Sequence, residues 1–279
     1  MQNTYASKRA FLNQFLGFLK TPPLWRDHSL SSFSQYVLDE NISAEELQIE
    51  LFPPAMVLGK RIERFLRIYL DHFSDEDVLA ENVQVFSDKV TLGEFDFILK
   101  NRNSGAISHV EVVYKFYLYD PTFPEEVDRW IGPNKKDSLH KKLLRLENRQ
   151  FPLLYKQEAA PLLKHFEIDP EKVIQKALFK ANLFVPLEKV GKHLPLINNE
   201  CIQGVWIRYQ DFTNQSFGSY QFFSPKKPDW PTLPEKGTDW YSYSEIKEEL
   251  ETFIEKKRSP LLWMKKNSQD YQRFFVVWW

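Results

Sequence analysis

The chain of 279 residues has one cysteine, Cys201. That excludes an internal disulfide framework and any zinc site built from several thiolates, and it fits a reducing cytoplasm. No apolar run approaches the roughly 18 residues that a membrane-spanning helix needs. Lys8 and Arg9 precede Phe11 and Leu12, but Asn13 and Gln14 interrupt the stretch, so no secretory leader is expected. An excess of one charge is also lacking: 37 basic and 38 acidic residues leave a net charge of −1. No global field therefore draws the protein to phosphate or to an anionic membrane, and any such attraction must be local. The nucleotide-binding strings GxxxxGK[ST] and GxGxxG, the zinc string HExxH and the nucleophile elbow GxSxG are absent. Neither an NTPase nor a dinucleotide enzyme is expected.

What is present is a globular composition, 43% apolar and 27% charged, without repeats or low-complexity stretches. Residues 5–50 read as short helices broken at Thr21-Pro22-Pro23. After Pro53-Pro54, residues 55–73 place Leu58, Ile62, Phe65, Leu66, Tyr69 and Phe73 at helical spacing, which predicts an amphipathic helix. Residues 82–86, 91–100 and 107–118 read as strands, the last two joined by an Asn101–Gly105 turn. Asn134 is a candidate cap for a helix over 135–149. Further on, 158–166 reads as helix, and 177–185, 203–209, 219–223 and 273–279 as strands. Residues 225–234 read as a loop, and Ser242 with Glu245 forms a capping box ahead of a helix over 244–257.

The 91–118 hairpin carries the candidate chemistry. Successive strand residues face opposite ways. Phe95, Phe97 and Leu99 therefore share one face, and Glu94 and Asp96 the other. On the second strand Glu111 and Lys115 lie opposite the Val110, Val112, Tyr114 and Phe116 face. Apolar-to-apolar pairing gathers Glu94, Asp96, Glu111 and Lys115 on one side. Two registers preserve the faces: Asp96 opposite Glu111, or Glu94 opposite Lys115. Either brings two carboxylates to one cation, which is how Mg²⁺ is usually held. The competing account is the solvated face of an ordinary hairpin, although directly opposed carboxylates repel without a cation.

The string from Leu92 to Ile98 followed by Val110 to Lys115 resembles the PD-(D/E)xK nuclease superfamily, in the branch with G-E-x-D followed by V-E-x-K. The resemblance implies a restriction-endonuclease-like α/β core, an α+β mixed sheet. It also implies a helix glutamate, at Glu63, and Mg²⁺ or Mn²⁺ held by Glu63, Asp96 and Glu111. Lys115 would serve the attacking water. Val113 stands where the superfamily has its lysine, and Lys115 comes two residues later, on the same face but about 6–7 Å along the strand. More narrowly, the TLGE-x-DF string (Thr91–Phe97), the KFYL string (Lys115–Leu118) and the GPN turn (Gly132–Asn134) resemble an uncharacterised bacterial domain-of-unknown-function family, over most of the chain.

The 135–149 segment is the clearest local excess of positive charge. Lys135, Lys136, Lys142 and Arg145, with Gln150 just beyond, are candidate nucleic-acid contacts, Lys142 and Gln150 by resemblance to the superfamily's second core helix. Glu94 and His109 are candidate cleft residues. Trp206, Trp230, Trp240, Trp263, Trp278 and Trp279 read first as core and second as stacking faces for unpaired bases. The expected organisation is a helical segment (1–54), the nuclease-like core (55–155) and an aromatic-rich α+β extension (156–279) sharing the core sheet. The expected function is metal-dependent hydrolysis of DNA or RNA in the cytoplasm, without a membrane or a nucleotide cofactor. The alternative is an inactive nuclease-like fold that binds nucleic acid or protein.

Overall fold

In the computed structural model the described residues are 2–26, 30–40, 42, 53, 56–237 and 239–279, with side chains from residue 8 onward. They form a mixed α+β structure with one ten-stranded sheet and six α-helices. The chain opens with α1 (Gln2–Lys20), not with short helices before Thr21, and then β1 (Ser34–Gln35). The part of the expected helical segment over 43–50 lies outside the described residues.

The periodicity of the next segment gives α2 (Leu58–Phe73), which buries Leu58, Ile62, Phe65, Leu66, Tyr69 and Leu70 along one stripe. It stops at Ser74, whose Oγ donates to the Leu70 carbonyl at 2.9 Å. An antiparallel meander follows: β2 (Glu76–Ser87), β3 (Val90–Asn101) and β4 (Ile107–Tyr119). The turn between the last two is closed by Asn101 Oδ1, which accepts from the Ser104 N–H at 2.9 Å, and by Gly105 at φ +71. The short β5 (Trp130–Ile131) pairs with the end of β4.

The basic segment forms a shorter helix than its charge pattern suggests. α3 (Leu139–Arg145) starts at Ser138, whose Oγ accepts the Lys141 N–H, because Asn134 is engaged elsewhere, accepting from the Ser259 N–H at 2.8 Å. A π-helical turn over Leu146–Gln150 continues it, with the Phe151 N–H bonded to the Leu146 carbonyl. Then come α4 (Ala160–His165), β6 (Ile174–Pro186), β7 (Ile202–Arg208), α5 (Asn214–Phe217), β8 (Gln221–Phe223), α6 (Tyr243–Glu255), β9 (Leu261–Lys265) and β10 (Tyr271–Val277). The capping box of Ser242 and Glu245 is formed at the head of α6.

The sheet runs β2-β3-β4-β6-β7-β10-β9-β8. β6 lies parallel to β4, from Ser108↔Ile174 to Leu118↔Phe184, and is buried from Ala177 to Pro186. A continuous buried run is what a parallel strand covered on both faces requires. One face packs on α1 and α2, through Phe15, Phe18, Phe65 and Leu66 against Val110, Phe116 and Leu178. The other packs on the α3 segment, through Leu139, Leu143, Leu146 and Phe151 against Val113, Tyr117 and Phe179. β3 does not keep strict alternation. Phe97 and Leu99 face α1 and α2, whereas Phe95 joins Ile98, Leu153 and Leu154 in a third cluster.

The turn Lys227–Asp229 and the following Trp230 and Pro231 are fastened to the α1 and α2 flank of this core. Gln14 Nε2 of α1 donates to Asp229 Oδ1 at 2.7 Å, and the indole N–H of Trp230 donates to the Pro225 carbonyl at 3.1 Å. A Cβ on Gly17 of α1 would lie 2.0 Å from the Pro231 carbonyl oxygen, so only glycine lets helix and turn meet. Gly17→Ala is expected to lower stability by about 1–3 kcal/mol through this forced separation, measured by chemical denaturation. An unchanged midpoint would show that the turn is not clamped to α1.

Candidate functional site

The site forms where β3 and β4 part. Their ladder runs from Lys100↔Ile107 to Phe97↔Val110 and then stops. The next step in that register sets Asp96 opposite Glu111, the first of the two registers that match the faces. In place of a further ladder bond, Asp96 Oδ2 accepts the Val112 N–H at 2.8 Å. The carboxyl of Asp96 thus fills the gap between the strands, within hydrogen-bonding reach of the Glu111 carboxyl.

Glu111 is fully buried and held on both oxygens. Oε1 lies 2.9 Å from His109 Nε2, and Oε2 accepts from the Gln150 side-chain amide. Gln150 reaches it from the π-helical turn; such wide turns recur at functional sites. His109 is also fully buried, and burial pulls its pKa down to about 4, so the ring is neutral near pH 7. Gln175 Nε2 donates to the Phe151 carbonyl at 2.8 Å and lies 3.4 Å from His109 Nδ1. A donor at Nδ1 leaves the ring proton on Nε2, directed at Glu111. Phe95 and Phe151 close on the ring edge-to-face, with centroids at 5.0 and 5.5 Å.

Burial raises the Asp96 pKa to about 7, and the neighbouring Glu111 adds to the rise. Burial also raises Glu111, against the pull of Lys142. Their low-dielectric surroundings thus hold both carboxyls above the ordinary carboxylate range. The cation acting on both is Lys142 of α3, whose Nζ donates to Gln150 Oε1 at 3.1 Å. Burial lowers the Lys142 pKa while Glu111 and Asp96 raise it. Lys115 is engaged elsewhere: its Nζ donates to Asp137 Oδ2 at 2.6 Å.

Glu63 and Glu94 lie on the outer side. Burial raises the Glu63 pKa, with Asp96 and Glu94 adding to it. One ammonium, Lys60 Nζ, bonds Glu63 Oε2 at 2.7 Å, Asn82 Oδ1 at 2.9 Å and Glu94 Oε1 at 3.0 Å. Among the described residues no group of three or more His, Cys, Asp or Glu side chains is arranged to hold a metal ion.

A cavity of about 440 Å³ opens beside the carboxylate pair, with Val112 and Lys142 in its lining. Lys115, Lys136, Lys142 and Lys227 line it against one carboxylate, Asp137, and Trp230 borders it. Lys135 turns away: its Nζ lies 3.9 Å from the Trp279 ring centroid and 3.4 Å from Asp120 Oδ2. Arg145 acts on Glu111 and Lys142 only through its field.

Lys60 and Gln175 escaped the sequence reading. Lys60 had a signal, since it precedes Glu63 at i,i+3 spacing on one helix face. Gln175 had none, being brought in by the parallel pairing of β6 with β4.

The chain belongs to the DUF1853 family, a domain of unknown function, whose model matches residues 18–277. No curated protein and no solved structure matches it significantly. No helix among the described residues is long and apolar enough to cross a membrane.

The hold of His109 on Glu111 has a measurable consequence. His109→Leu leaves Glu111 Oε1 without its partner, and an unmet buried carboxylate oxygen costs about 1–3 kcal/mol. The loss is expected at pH 8, where Glu111 is ionised, and should shrink toward pH 5, as followed by urea denaturation. Equal losses at both values would show that the imidazole serves packing alone.

Proposed function

We propose that this protein hydrolyses phosphodiester bonds in nucleic acid with the help of a divalent metal ion, on a restriction-endonuclease-like core. The observation that carries the reading is the Asp96–Glu111 pair. Asp96 is wedged between parting strands beside the buried Glu111, both carboxyls feel the charge of Lys142, and a cavity lined by four lysines lies alongside. The order of helix, strand meander and helix around the pair supports it.

The donors fit the ion. Mg²⁺ and Mn²⁺ take hard oxygen ligands, and Mg²⁺ is commonly held by one or two carboxylates with water and phosphate completing its shell. Asp96 and Glu111 would hold it, and Glu63 would act through water. Such an ion polarises a phosphoryl oxygen and makes bound water acidic enough to attack near neutral pH. The protein does the rest with its own groups. Gln150 and His109 fix the Glu111 carboxylate in place. Asp96, held above the ordinary carboxylate range, would have to be ionised to hold the cation. The Lys142 ammonium stabilises negative charge developing on phosphate, and Lys115 and Lys136 receive the flanking phosphates.

A second reading is favoured by the charge balance. Lys60 and Lys142 already face the carboxylates and offset part of their charge without an added ion. In that reading the fold binds nucleic acid without cutting it.

The experiment offers single-stranded, duplex and branched DNA and RNA to the purified protein with Mg²⁺ or Mn²⁺. Cutting that stops with EDTA, and is lost in Asp96→Ala and Glu111→Ala, is the expected result. Salt-dependent binding with no cutting and no divalent ion bound by calorimetry would favour the second reading.

A further inference from the structure

We infer that the lysine-lined cavity receives an unpaired nucleotide of a single-stranded nucleic acid, with the Trp230 indole as its stacking face and Lys227 as a phosphate contact. The inference rests on the reading of the site given above, and it assigns the C-terminal part of the chain to substrate binding.

Three observations lead there. The first is shape. The space beside the carboxylates is a cavity of about 440 Å³, within the roughly 300–1,000 Å³ of small-ligand pockets. A duplex keeps its bases stacked inside and presents phosphates on a convex rod. It has no free base face to offer a side chain inside such a cavity, whereas an unpaired nucleotide does.

The second is composition. Four lysines face one carboxylate around this cavity, in a chain whose net charge is −1. This local excess suits phosphate. Aromatic surface lies beside it: Tyr114, Phe116 and Trp230 border the same space. Cations tracking a backbone and aromatic faces meeting bases are the two components of single-strand binding.

The third is construction. Trp230 is set in place by its neighbours. It packs edge-to-face on Phe116 and Phe275, with centroids at 5.0 and 5.2 Å. Its turn is held by Gln14 at Asp229, and its indole N–H is bound to the Pro225 carbonyl. Two other tryptophans of this half serve the fold: Trp263 is buried, and Trp206 is buried with its N–H on the Tyr119 carbonyl. Lys227 Nζ lies 5.7 Å from the Trp230 ring centroid. A base stacking on the indole would displace this ammonium onto the phosphate of the same nucleotide.

The test measures binding without catalysis. A dye-labelled oligothymidylate of about ten nucleotides and a duplex of equal length are titrated with the full-length protein in EDTA, by fluorescence anisotropy. The single strand is expected to bind at least about tenfold more tightly. Trp230→Ala should weaken it about 10- to 100-fold, and Trp230→Phe should recover most of that. Lys227→Gln changes a surface turn without touching the core. It should lower the salt slope of single-strand binding by about 0.7, the value for one lost phosphate contact. Duplex binding equal to or tighter than single-strand binding overturns the inference, as does wild-type affinity and salt slope in Lys227→Gln. Trp230-dependent single-strand binding in a protein that cuts nothing would uphold the inference and overturn the nuclease reading. Cutting confined to duplex would do the reverse.

Discussion

Lys142→Met is expected to reduce divalent-dependent cutting by ~10²–10³-fold, the usual loss when a charge-stabilising group is removed from a dry site. Lys115→Met is expected to stay within about tenfold of wild type, because an exposed contact to phosphate contributes little to the chemical step. The contrast follows from where the two ammonium groups are held. Lys142 comes from α3, donates to Gln150 Oε1 at 3.1 Å and exerts its field on both Asp96 and Glu111. Lys115 sits two residues beyond the position that the V-E-x-K pattern assigns to lysine. It is neutralised by Asp137 at 2.6 Å, and its side chain is 36% exposed. The cation at the pair comes from the following helix. Steady-state rates on one oligonucleotide, with thermal melts to establish folding, decide the matter. A large loss in Lys115→Met with little in Lys142→Met would return the role to the strand lysine.

The strands of the first half were legible because their turn residues are unambiguous and their apolar residues recur, although β3 breaks strict alternation at Phe95. The Asn101–Gly105 turn fixed the hairpin, and opposed carboxylates on matched faces pointed to Asp96 and Glu111. Two features were not legible. The break in the β3–β4 ladder arises because the Asp96 side chain takes the Val112 N–H, a competition between side chain and backbone that periodicity does not encode. The engagement of Lys115 depends on Asp137, which approaches from a turn 22 residues away in sequence. Helix capping shows the same limit: Ser138 and Asn134 are both good caps, and the choice between them was made by the Ser259 N–H, distant in sequence. The strands β9 and β1 went unread because they are short and owe their form to pairing with β10 and β6.

Asp96→Asn is expected to be more stable than wild type at pH 8 without divalent ion, by on the order of 2 kcal/mol, and to match it near pH 4. In the unfolded chain an aspartate titrates near its ordinary value of about 3.9. In the folded protein burial, reinforced by Glu111, raises Asp96 to about 7. Below the unfolded value both states hold the proton, and the favourable contribution of the protonated form is fully present. As pH rises through the folded value that contribution is lost, because an ionised Asp96 must then sit beside Glu111. Asparagine stays uncharged throughout, so the contribution of this position no longer changes with pH in this window. Its Oδ1 still accepts the Val112 N–H, and its Nδ2 can donate to the Glu111 carboxylate, so the wedge between the strands survives. A shift of three units would be worth about 4 kcal/mol. Asp96 is partly exposed, so screening reduces the effect to the smaller figure. Added Mg²⁺ should raise the wild-type melting temperature at pH 8, where the pair is free to take a cation, far more than at pH 5, where a proton competes for it. It should leave Asp96→Asn nearly unmoved at both. A variant less stable than wild type at pH 8 without ion would mean that the Asp96 carboxylate is a structural hydrogen-bonding group. The strain that supports the metal-site reading would then be absent.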